Sequence, residues 1–268
     1  MKLHDVVPMT AGIVTNVHKD PDLTFTRDIR RFLEARGVAV VPEGETADFW
    51  VVLGGDGTVL AAAHKAALLD VPLLGINLGT MGFLTDVDKQ DGFTALRKVI
   101  AGEYESQKRL MLKCAVAGWK GTAALSCNNL ALNEVVVGNA GRLAYFSVYV
   151  NGVHIDDIRA GGIIVSTPTG STAYNLSAGG PILSPCGEMI VITAICPHSL
   201  SARPWVIPAG DNVRIVPAHS AALVLDGEVV SKVPGGSGVE ISRAPVSATI
   251  IHTVPANFYE ILRKKKII

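Results

Sequence analysis

A glycine-rich turn that carries a single carboxylate lies near residue 55. Gly54-Gly55-Asp56-Gly57-Thr58 follows Phe49–Leu53, an apolar run typical of a buried strand, and leads into Thr58–Leu69, which has a helical pattern. Glycines let the backbone approach a phosphate group closely, and the N–H groups of the next helix would point at the anion. We therefore predict phosphate binding at Gly54, Gly55, Gly57 and Thr58.

Asp56 is the candidate catalytic group of this turn. A carboxylate within hydrogen-bond reach of an attacking hydroxyl can take its proton during phosphoryl transfer. The structural alternative is a tight strand-to-helix connection with Asp56 as the helix N-cap. A second glycine-bearing turn, Asn77–Phe83, follows the apolar segment Pro72–Ile76. Because ligands of open α/β sheets bind beyond the carboxyl ends of the strands, two such turns on one edge favour a binding site.

Hydroxyl groups are concentrated between Ser166 and Tyr174, directly after the apolar segment Ile163–Val165. Six of these nine residues carry a hydroxyl, and buried hydroxyls are costly unless they find hydrogen-bond partners. A polar ligand would supply those partners, so we predict a binding loop here. The alternative is capping of a short helix by Ser or Thr, which accounts for one or two hydroxyls but not for the whole cluster.

Two adjacent polar residues, Asn133 and Glu134, interrupt the apolar segment Ala131–Val137. Neighbouring residues of a strand point to opposite faces, so at least one of the two should face inward. An amide and a carboxylate are suited to gripping ribose hydroxyls, as acidic residues do in dinucleotide-binding folds. An edge strand or a bulge is the alternative interpretation.

The chain up to about residue 105 alternates between strand and helix patterns. Alternation of this kind, with apolar strands, predicts a parallel sheet covered by helices. The predicted strands are Ala11–Val17, Val38–Val41, Phe49–Leu53 and Pro72–Ile76, and the predicted helices are Asp22–Arg36, Thr58–Leu69 and Gly92–Gly102.

Short strands predominate from about Leu110, and Asn151-Gly152 between two of them predicts a type I′ hairpin. A terminal helix, Asn257–Lys265, could pack back on the first domain. We predict a Rossmann-like α/β domain at 1–107 with a returning segment 254–268, and a β-rich domain at 108–253. The predicted strands of the second domain are Leu110–Ala117, Ala131–Val137, Ala144–Val150, Val153–Asp157, Ile163–Ser166, Met189–Ile195, Val213–Val216, Ala222–Leu225, Val239–Ile241 and Ala248–Thr253.

Composition restricts the class of protein. The 268 residues include 24 basic and 24 acidic side chains, a balance that argues against a nucleic-acid or membrane surface. Met1–Asp5 has no apolar core of a secretory signal, and the longest apolar run, Met189–Cys196, is too short to span a bilayer. No His/Cys cluster has zinc spacing, so no protein-held metal site is predicted. The four cysteines form no Cys-x-x-Cys pair and are interpreted as core residues, which favours the cytoplasm. They are Cys114, Cys127, Cys186 and Cys196.

Taken together, these motifs resemble the NAD kinase family. The resemblance rests on Gly54–Thr58, on Asn77–Leu84, on Asn133-Glu134 and above all on Thr-Pro-Thr-Gly-Ser-Thr-Ala-Tyr-x-x-Ser-Ala-Gly-Gly-Pro at Thr167–Pro181. It continues through Pro197-His198 and Ser201–Pro204 and spans nearly the whole chain. The glycine–aspartate turn alone is shared with diacylglycerol, sphingosine and phosphofructo-kinases, whereas the Thr167–Pro181 block is far more specific.

The resemblance implies phosphorylation of the adenosine-ribose 2′-hydroxyl of NAD, with an active site between the two domains. It implies ATP or inorganic polyphosphate as donor, a divalent metal such as Mg²⁺, and a homodimer or homotetramer. Asp56 matches the proposed general base of the family, Asn133 and Glu134 match residues that hold the ribose, and Phe83 matches an aromatic beside the adenine. The NAD-binding positions implied are Asp56, Gly57, Phe83, Asn133, Glu134, Arg159, Gly161, Thr169, Thr172, Ala173, Tyr174, Ser177 and Glu228.

The chain departs from the family pattern at three positions. Gly161 replaces an Asp that helps to hold the nicotinamide half, Ala61 replaces an Arg of many bacterial members, and Glu228 replaces an amide after Asp226-Gly227. The Asp226-Gly227 pair by itself predicts a hairpin turn. Two other functions remain open: a lipid kinase that shares the glycine–aspartate turn, and a non-catalytic NAD-binding sensor. The polar Thr167–Ser177 block argues against the first, and the retained Asp56 against the second.

Overall fold

The computed structural model of the chain describes residues 9–79, 82–85, 87–116, 129–138, 142–199, 201–254 and 258–267. These residues form two compact units. The first unit contains the described residues up to Lys108 together with those from Ala248 onward, and the second unit is Arg109–Ser247. The predictions on Met1–Asp5 and on Cys127 concern residues outside the described ranges.

Strands and helices alternate first and strands predominate later along the described residues. In chain order the elements are β1 (Thr10–Thr15), α1 (Thr24–Glu34), β2 (Ala39–Val40), β3 (Phe49–Gly54), α2 (Asp56–Leu69), β4 (Leu73–Asn77), β5 (Val87–Asp88), α3 (Gly92–Ile100), β6 (Glu105–Val116), β7 (Leu130–Ala131), β8 (Glu134–Gly138), β9 (Ala144–Val150), β10 (Val153–Ala160), β11 (Gly162–Ser166), α4 (Tyr174–Ser177), β12 (Met189–Ile195), β13 (Trp205–Pro208), β14 (Val213–Pro217), β15 (Ala221–Leu225), β16 (Glu228–Val233), β17 (Val239–His252) and α5 (Phe258–Lys264). Short 3₁₀ turns precede α3 and α4.

The first unit has a parallel sheet flanked by helices, as the alternating pattern predicts. Its central order is β2-β1-β3-β4, and each neighbouring pair is parallel. Every residue of β3 is buried, which agrees with a strand covered on both faces. On its inner face α1 buries Phe25, Ile29 and Leu33 at a spacing of four residues, and each burial contributes roughly 1.5–3 kcal/mol.

The strand order creates a switch point between β1 and β3. The connection through α1 leads from β1 to β2 on one side, and the chain then continues in β3 on the other side of β1. Such a reversal opens a crevice beyond the carboxyl ends of the two strands. At those ends lie Asn16–Lys19, after β1, and Gly55–Thr58, after β3.

The terminal segment packs back on the first unit, as predicted. The ammonium group of Lys98 donates a hydrogen bond to the carbonyl oxygen of Thr253 at 2.8 Å. The ring of Phe258 in α5 lies 6.1 Å from the ring of Phe83. The predicted start of this helix, Asn257, lies outside the described residues.

The second unit is rich in antiparallel strands, as predicted. Six strands form one sheet in the order β13-β12-β11-β8-β15-β16, and β10, β9, β14 and the first part of β17 pair in that order. Because side chains alternate along a strand, Val135 and Val137 of β8 enter the hydrophobic core while Glu134 and Val136 face a cavity on the other side.

Several predicted strand limits were wrong. The two strands predicted at Val239–Ile241 and Ala248–Thr253 are the single strand β17, and β5, β13 and β16 were not predicted. The predicted strand Ala131–Val137 is two strands, because the N–H groups of Leu132 and Asn133 donate to the carboxylate of Asp226 at 2.8 Å each instead of to a neighbouring strand. None of the helices within the described ranges is long and apolar enough to cross a membrane.

The core interpretation of the cysteines was also wrong in part. Cys114 is buried, whereas Cys186 and Cys196 are exposed. Cys196 comes directly after β12 with a φ of 44°, at the point where the strand ends and the chain turns to the surface.

Candidate active site

The carboxylate of Asp56 ties the two glycine-bearing turns of the first unit together. It accepts hydrogen bonds from the N–H groups of Phe83 at 2.7 Å and Leu84 at 2.9 Å, and from the hydroxyl of Thr85 at 3.3 Å. A carboxylate offers about four acceptor positions, so one remains for a substrate hydroxyl. The two turns therefore meet at one edge of the sheet, as the sequence predicts.

Helix α2 begins at Asp56, one residue earlier than it would if Asp56 were its N-cap. Asp56 is the first residue of α2, and Gly55 is its N-cap with an extended backbone at φ −136°. The interpretation of Asp56 as the N-cap was therefore wrong. The first N–H groups of a helix have no partner within the helix and favour an anion. The carboxylate is left to bind the Gly82–Thr85 turn, and a Cβ at Gly82 would collide with it.

A lysine that the sequence pattern does not single out lies over this turn. The Nζ atom of Lys19 is 3.0 Å from the position that a Cβ on Gly55 would take, and 3.1 Å from the corresponding position on Gly79. The amide of Asn16 donates to the hydroxyl of Thr58 at 3.2 Å and so holds the turn after β1 against the glycine-rich turn. Both residues follow β1 at its carboxyl end, but the predicted strand Ala11–Val17 extends too far and includes Asn16.

Phe83 is half-buried at the same edge of the first unit. Its backbone is fixed by Asp56, and its ring faces Phe258. The ammonium group of Lys265 lies 5.2 Å from the centre of the Phe83 ring, within the range of a cation–π contact. The terminal helix thus orients this aromatic side chain.

In the second unit, Asp226 fixes the backbone that carries Glu134. Its carboxylate accepts the N–H groups of Leu132, Asn133 and Glu134 at 2.8, 2.8 and 3.0 Å. Asp226 and Gly227 have φ values of 50° and 89°, which agrees with the predicted hairpin turn between β15 and β16. The turn therefore also acts as a clamp on the start of β8.

Glu134 is a buried acid that faces a cavity. Only 5% of its surface is exposed, and its Oε2 atom has no hydrogen-bond partner among the described residues. Burial, together with the nearby Asp226 carboxylate, raises the pKa of Glu134 to about 8, against a smaller opposing effect of the N–H group of Tyr174. Near neutral pH this carboxyl group therefore holds its proton, and it can both donate to and accept from a ligand hydroxyl.

Most hydroxyls of the Ser166–Tyr174 cluster bind the protein itself. Thr167 donates to the carbonyl oxygen of Leu132 at 2.6 Å, and Ser171 donates to that of Pro168 at 2.7 Å. The expectation that a ligand supplies most of the partners was therefore wrong. The buried hydroxyl oxygen of Thr169 has no hydrogen-bond partner among the described residues.

A cavity of about 660 Å³ in the second unit contains three predicted site residues, Glu134, Gly161 and Tyr174. A Cβ on Gly161 would meet the carbonyl oxygen of Ile195 at 3.4 Å, an ordinary contact, so a Cβ fits at this position. The other lining residues are mostly apolar: Val136, Gly138, Arg142, Leu143, Ile195, Cys196, Ala222, Val224, Gly227 and Val229.

The remaining predicted residues of this unit do not line the cavity. Asn133 is half-buried between β7 and β8, Arg159 is exposed on β10, and Glu228 is exposed at the start of β16. A separate group surrounds α4 and its preceding turn: Thr169, Thr172, Ala173 and Ser177. Within the described part of the chain, no three His, Cys, Asp or Glu side chains cluster in a way that could hold a metal ion.

Comparison with known proteins identifies similar chains over most of the sequence. The family described as ATP-NAD kinase N-terminal domain matches residues 42–104, and the ATP-NAD kinase C-terminal domain matches residues 132–253. The NAD kinase of Lachnoclostridium phytofermentans is 37% identical over 278 residues, which cover 94% of this chain and 97% of that protein. The NAD kinase of Azoarcus sp. is 40% identical over 226 residues, or 83% of this chain and 76% of that protein.

Two solved structures share the fold. An NAD kinase from Archaeoglobus fulgidus in complex with ATP is 26% identical, with a TM-score of 0.79 over 97% of this chain and 100% of that one. Yeast NADH kinase complexed with NADH is 23% identical, with a TM-score of 0.81 over 97% of this chain and 88% of that one. The predicted combination of an α/β domain and a β-rich domain is confirmed.

Proposed function

The chain belongs to the NAD kinase family, and from this premise we propose that it transfers the terminal phosphoryl group of ATP to the adenosine-ribose 2′-hydroxyl of NAD, giving NADP. The observation that carries the proposal is the position of Asp56. Its carboxylate stands at the first residue of α2, beside N–H groups that favour an anion, and keeps one acceptor position for a hydroxyl.

Asp56 is the proposed general base. It takes the proton from the 2′-oxygen as that oxygen bonds to the γ-phosphorus, and the bond to the bridging β–γ oxygen breaks with its electron pair leaving on ADP. The first N–H groups of α2 stabilise charge on the transferring oxygens, and Gly54, Gly55, Gly57 and Thr58 are the proposed phosphate contacts. General-base help of this kind contributes roughly a hundred- to ten-thousand-fold in rate.

NAD is the proposed ligand of the second unit. Glu134 and Tyr174 line its cavity, and the unpartnered oxygen of Glu134 and hydroxyl of Thr169 are buried groups that a polar ligand would satisfy. Residues proposed to complete the NAD contacts are Gly57, Phe83, Asn133, Arg159, Gly161, Thr172, Ala173, Ser177 and Glu228.

A divalent cation fits the site only in company with the donor. Mg²⁺ commonly keeps several waters and is held largely by substrate phosphates. Because the remaining acceptor position of Asp56 is assigned to the substrate hydroxyl, the phosphates of the donor would hold the ion. The ion would neutralise charge on the phosphoryl oxygens when bound. Polyphosphate as an additional donor, assembly as a homodimer or homotetramer, and a cytoplasmic setting remain part of the proposal.

The function is tested by incubating the purified chain with NAD, ATP and Mg²⁺ and measuring NADP with an NADP-specific dehydrogenase. We expect NADP to accumulate in proportion to enzyme. An Asp22→Asn variant, which changes an exposed carboxylate before α1, is the matched control and should keep the wild-type rate. Binding of NAD without NADP formation would favour the sensor, and phosphorylation of a lipid alone would favour the lipid kinase. Either result would overturn the proposal.

A further inference from the structure

One cysteine of the second unit lies at the wall of the cavity that contains Glu134. Cys196 is exposed and lines this cavity. Cys186 is also exposed but does not belong to the lining, and Cys114 is buried in the hydrophobic core. Among the cysteines that the structure describes, Cys196 is therefore the one whose thiol a molecule in the cavity can meet.

The bend that carries Cys196 is held from both sides. Before it, the carbonyl oxygen of Ile195 accepts a hydrogen bond from the N–H group of Gly161 at 2.8 Å. After it, the N–H group of His198 donates to the carbonyl oxygen of Arg159, also at 2.8 Å. Between these two bonds Cys196 has a φ of 44°, a conformation that residues other than glycine seldom adopt. The backbone at the end of β12 is thus fixed against the end of β10 and the residue that follows it.

A separate observation indicates that the same cavity receives a ligand. Glu134 lines it, is only 5% exposed, and has an Oε2 atom without a hydrogen-bond partner among the described residues. A buried polar atom of this kind is costly unless a partner satisfies it, so a polar group of a ligand is expected beside it. Such a ligand shares a volume of about 660 Å³ with the thiol of Cys196. Any group attached to that thiol would compete with it for space.

The chemistry open to an accessible thiol here is exchange with a small disulfide. The Cys196 sulfur gives its proton to water and forms a bond to one sulfur of the reagent. The disulfide bond of the reagent breaks, and its electron pair leaves on the other sulfur, which takes up a proton and departs as a thiol. Cys196 is oxidised and half of the reagent is reduced. No second cysteine belongs to the lining that the structure describes, so the product is a mixed disulfide and not an internal bridge.

We propose that Cys196 is a modification site for small anionic disulfides, and that the mixed disulfide formed there closes the cavity to NAD. The guanidinium group of Arg142, which also lines the cavity, supplies a positive charge for the carboxylates of the reagent. An excess of small thiol reverses the modification by the same exchange. Because it names NAD as the excluded ligand, the inference rests on the proposed function.

The test treats the intact enzyme with glutathione disulfide and locates the adduct by mass spectrometry of the whole protein and of its peptides. We expect a single adduct, on the peptide that contains Cys196. Calorimetric titration of the modified protein should show an NAD affinity lowered at least about tenfold, because adduct and ligand occupy the same volume. NAD at about ten times its Kd should slow the modification about tenfold, since it leaves roughly one site in ten open. Dithiothreitol should restore the affinity.

Cys186→Ser is the matched control, because it removes an exposed thiol outside the cavity. It should be modified, and should lose NAD affinity, as the wild type does. Cys196→Ser should lose neither NAD affinity nor NADP formation on treatment, each compared with its own untreated value. If Cys196→Ser does not fold, Cys196→Gly replaces it with the same expectation, because glycine adopts a positive φ without strain.

Two results would overturn the modification site. One is an adduct on Cys186 or Cys127 while Cys196 stays unmodified, and the other is unchanged NAD affinity after complete modification of Cys196. NADP formation by the untreated wild type is scored separately. An enzyme that makes NADP but fails either criterion loses only this inference, whereas a chain that binds NAD without making NADP loses the proposed function.

Discussion

Replacing Asp56 with Asn separates the chemical role of the carboxylate from its structural one. Two N–H groups, of Phe83 and Leu84, donate to its two oxygens at 2.7 and 2.9 Å. An Asn side chain has one acceptor oxygen, so its NH₂ group would face one of these donors. An unsatisfied donor costs about 1–3 kcal/mol, which corresponds to a fall in Tm of roughly 3–10 °C. Removal of the base should lower turnover by about 10²–10⁴-fold.

Both effects are measured on the same preparations, by thermal unfolding and by the NADP-coupled rate well below either Tm. Thr85→Val is the matched control, because it removes the third hydrogen bond to Asp56, at 3.3 Å, and keeps the carboxylate. We expect it to lower stability by about 0.5–1.5 kcal/mol and to retain the rate within about threefold. If Thr85→Val loses as much turnover as Asp56→Asn, the geometry of the turn and not the base carries the rate. A near-normal rate for Asp56→Asn would refute the mechanism.

Three further substitutions test the second unit. Between about pH 4.5 and 8 folded Glu134 holds a proton that the unfolded chain releases, so the free energy of unfolding should fall with rising pH, by at most about 1.4 kcal/mol per pH unit. Glu134→Gln should lack this component of the slope in urea titrations at several pH values. Thr169→Val removes a buried, unpartnered hydroxyl, so it should leave the free protein as stable or more so while reducing the thermal shift caused by NAD. Gly161→Asp should fold normally, since a Cβ fits there. It should favour NAD, whose nicotinamide ring is cationic, over NADH, whose nicotinamide ring is neutral, about fivefold in kcat/KM. Gly161→Asn, as its neutral counterpart, should leave that preference unchanged.

The first glycine-rich turn could be predicted because its signals are local. The apolar run Phe49–Leu53 is long enough to be buried on both faces, and the glycines after it mark where the strand must end. The two turns were expected on one edge because parallel strands present their carboxyl ends together. That inference needed no knowledge of which strands are neighbours.

Lys19 could not be placed in the same way. Its position over Gly55 and Gly79 depends on β1 lying beside β3, and the neighbour relation of two strands has no signature in either segment. Lys19 lies between the predicted strand Ala11–Val17 and the predicted helix Asp22–Arg36, and an exposed lysine in such a connection is ordinary. Only the strand order places this cation over the two glycine-bearing turns.

The prediction for the hydroxyl-rich loop Ser166–Tyr174 was right that its hydroxyls need hydrogen-bond partners, but it was wrong about most of those partners, which are protein groups and not a ligand. Its hydroxyls need acceptors, and a ligand was expected to supply them because residues nearby in the sequence could not provide them all. The hydroxyl of Thr167 donates to the carbonyl oxygen of Leu132, which lies 35 residues earlier in the chain. The N–H group of Leu132 in turn donates to the carboxylate of Asp226, 94 residues after Leu132.

Long-range contacts also determine the position and the protonation state of Glu134, neither of which its residue type predicts. Asp226 fixes the backbone at Leu132–Glu134, so the strand starts at Glu134 and its side chain must point away from the core, into the cavity. The carboxylate that sets this geometry also stands near enough to favour the protonated form of Glu134. Position and protonation state thus have one cause, and a hairpin turn interpreted from sequence as a simple connection determines both.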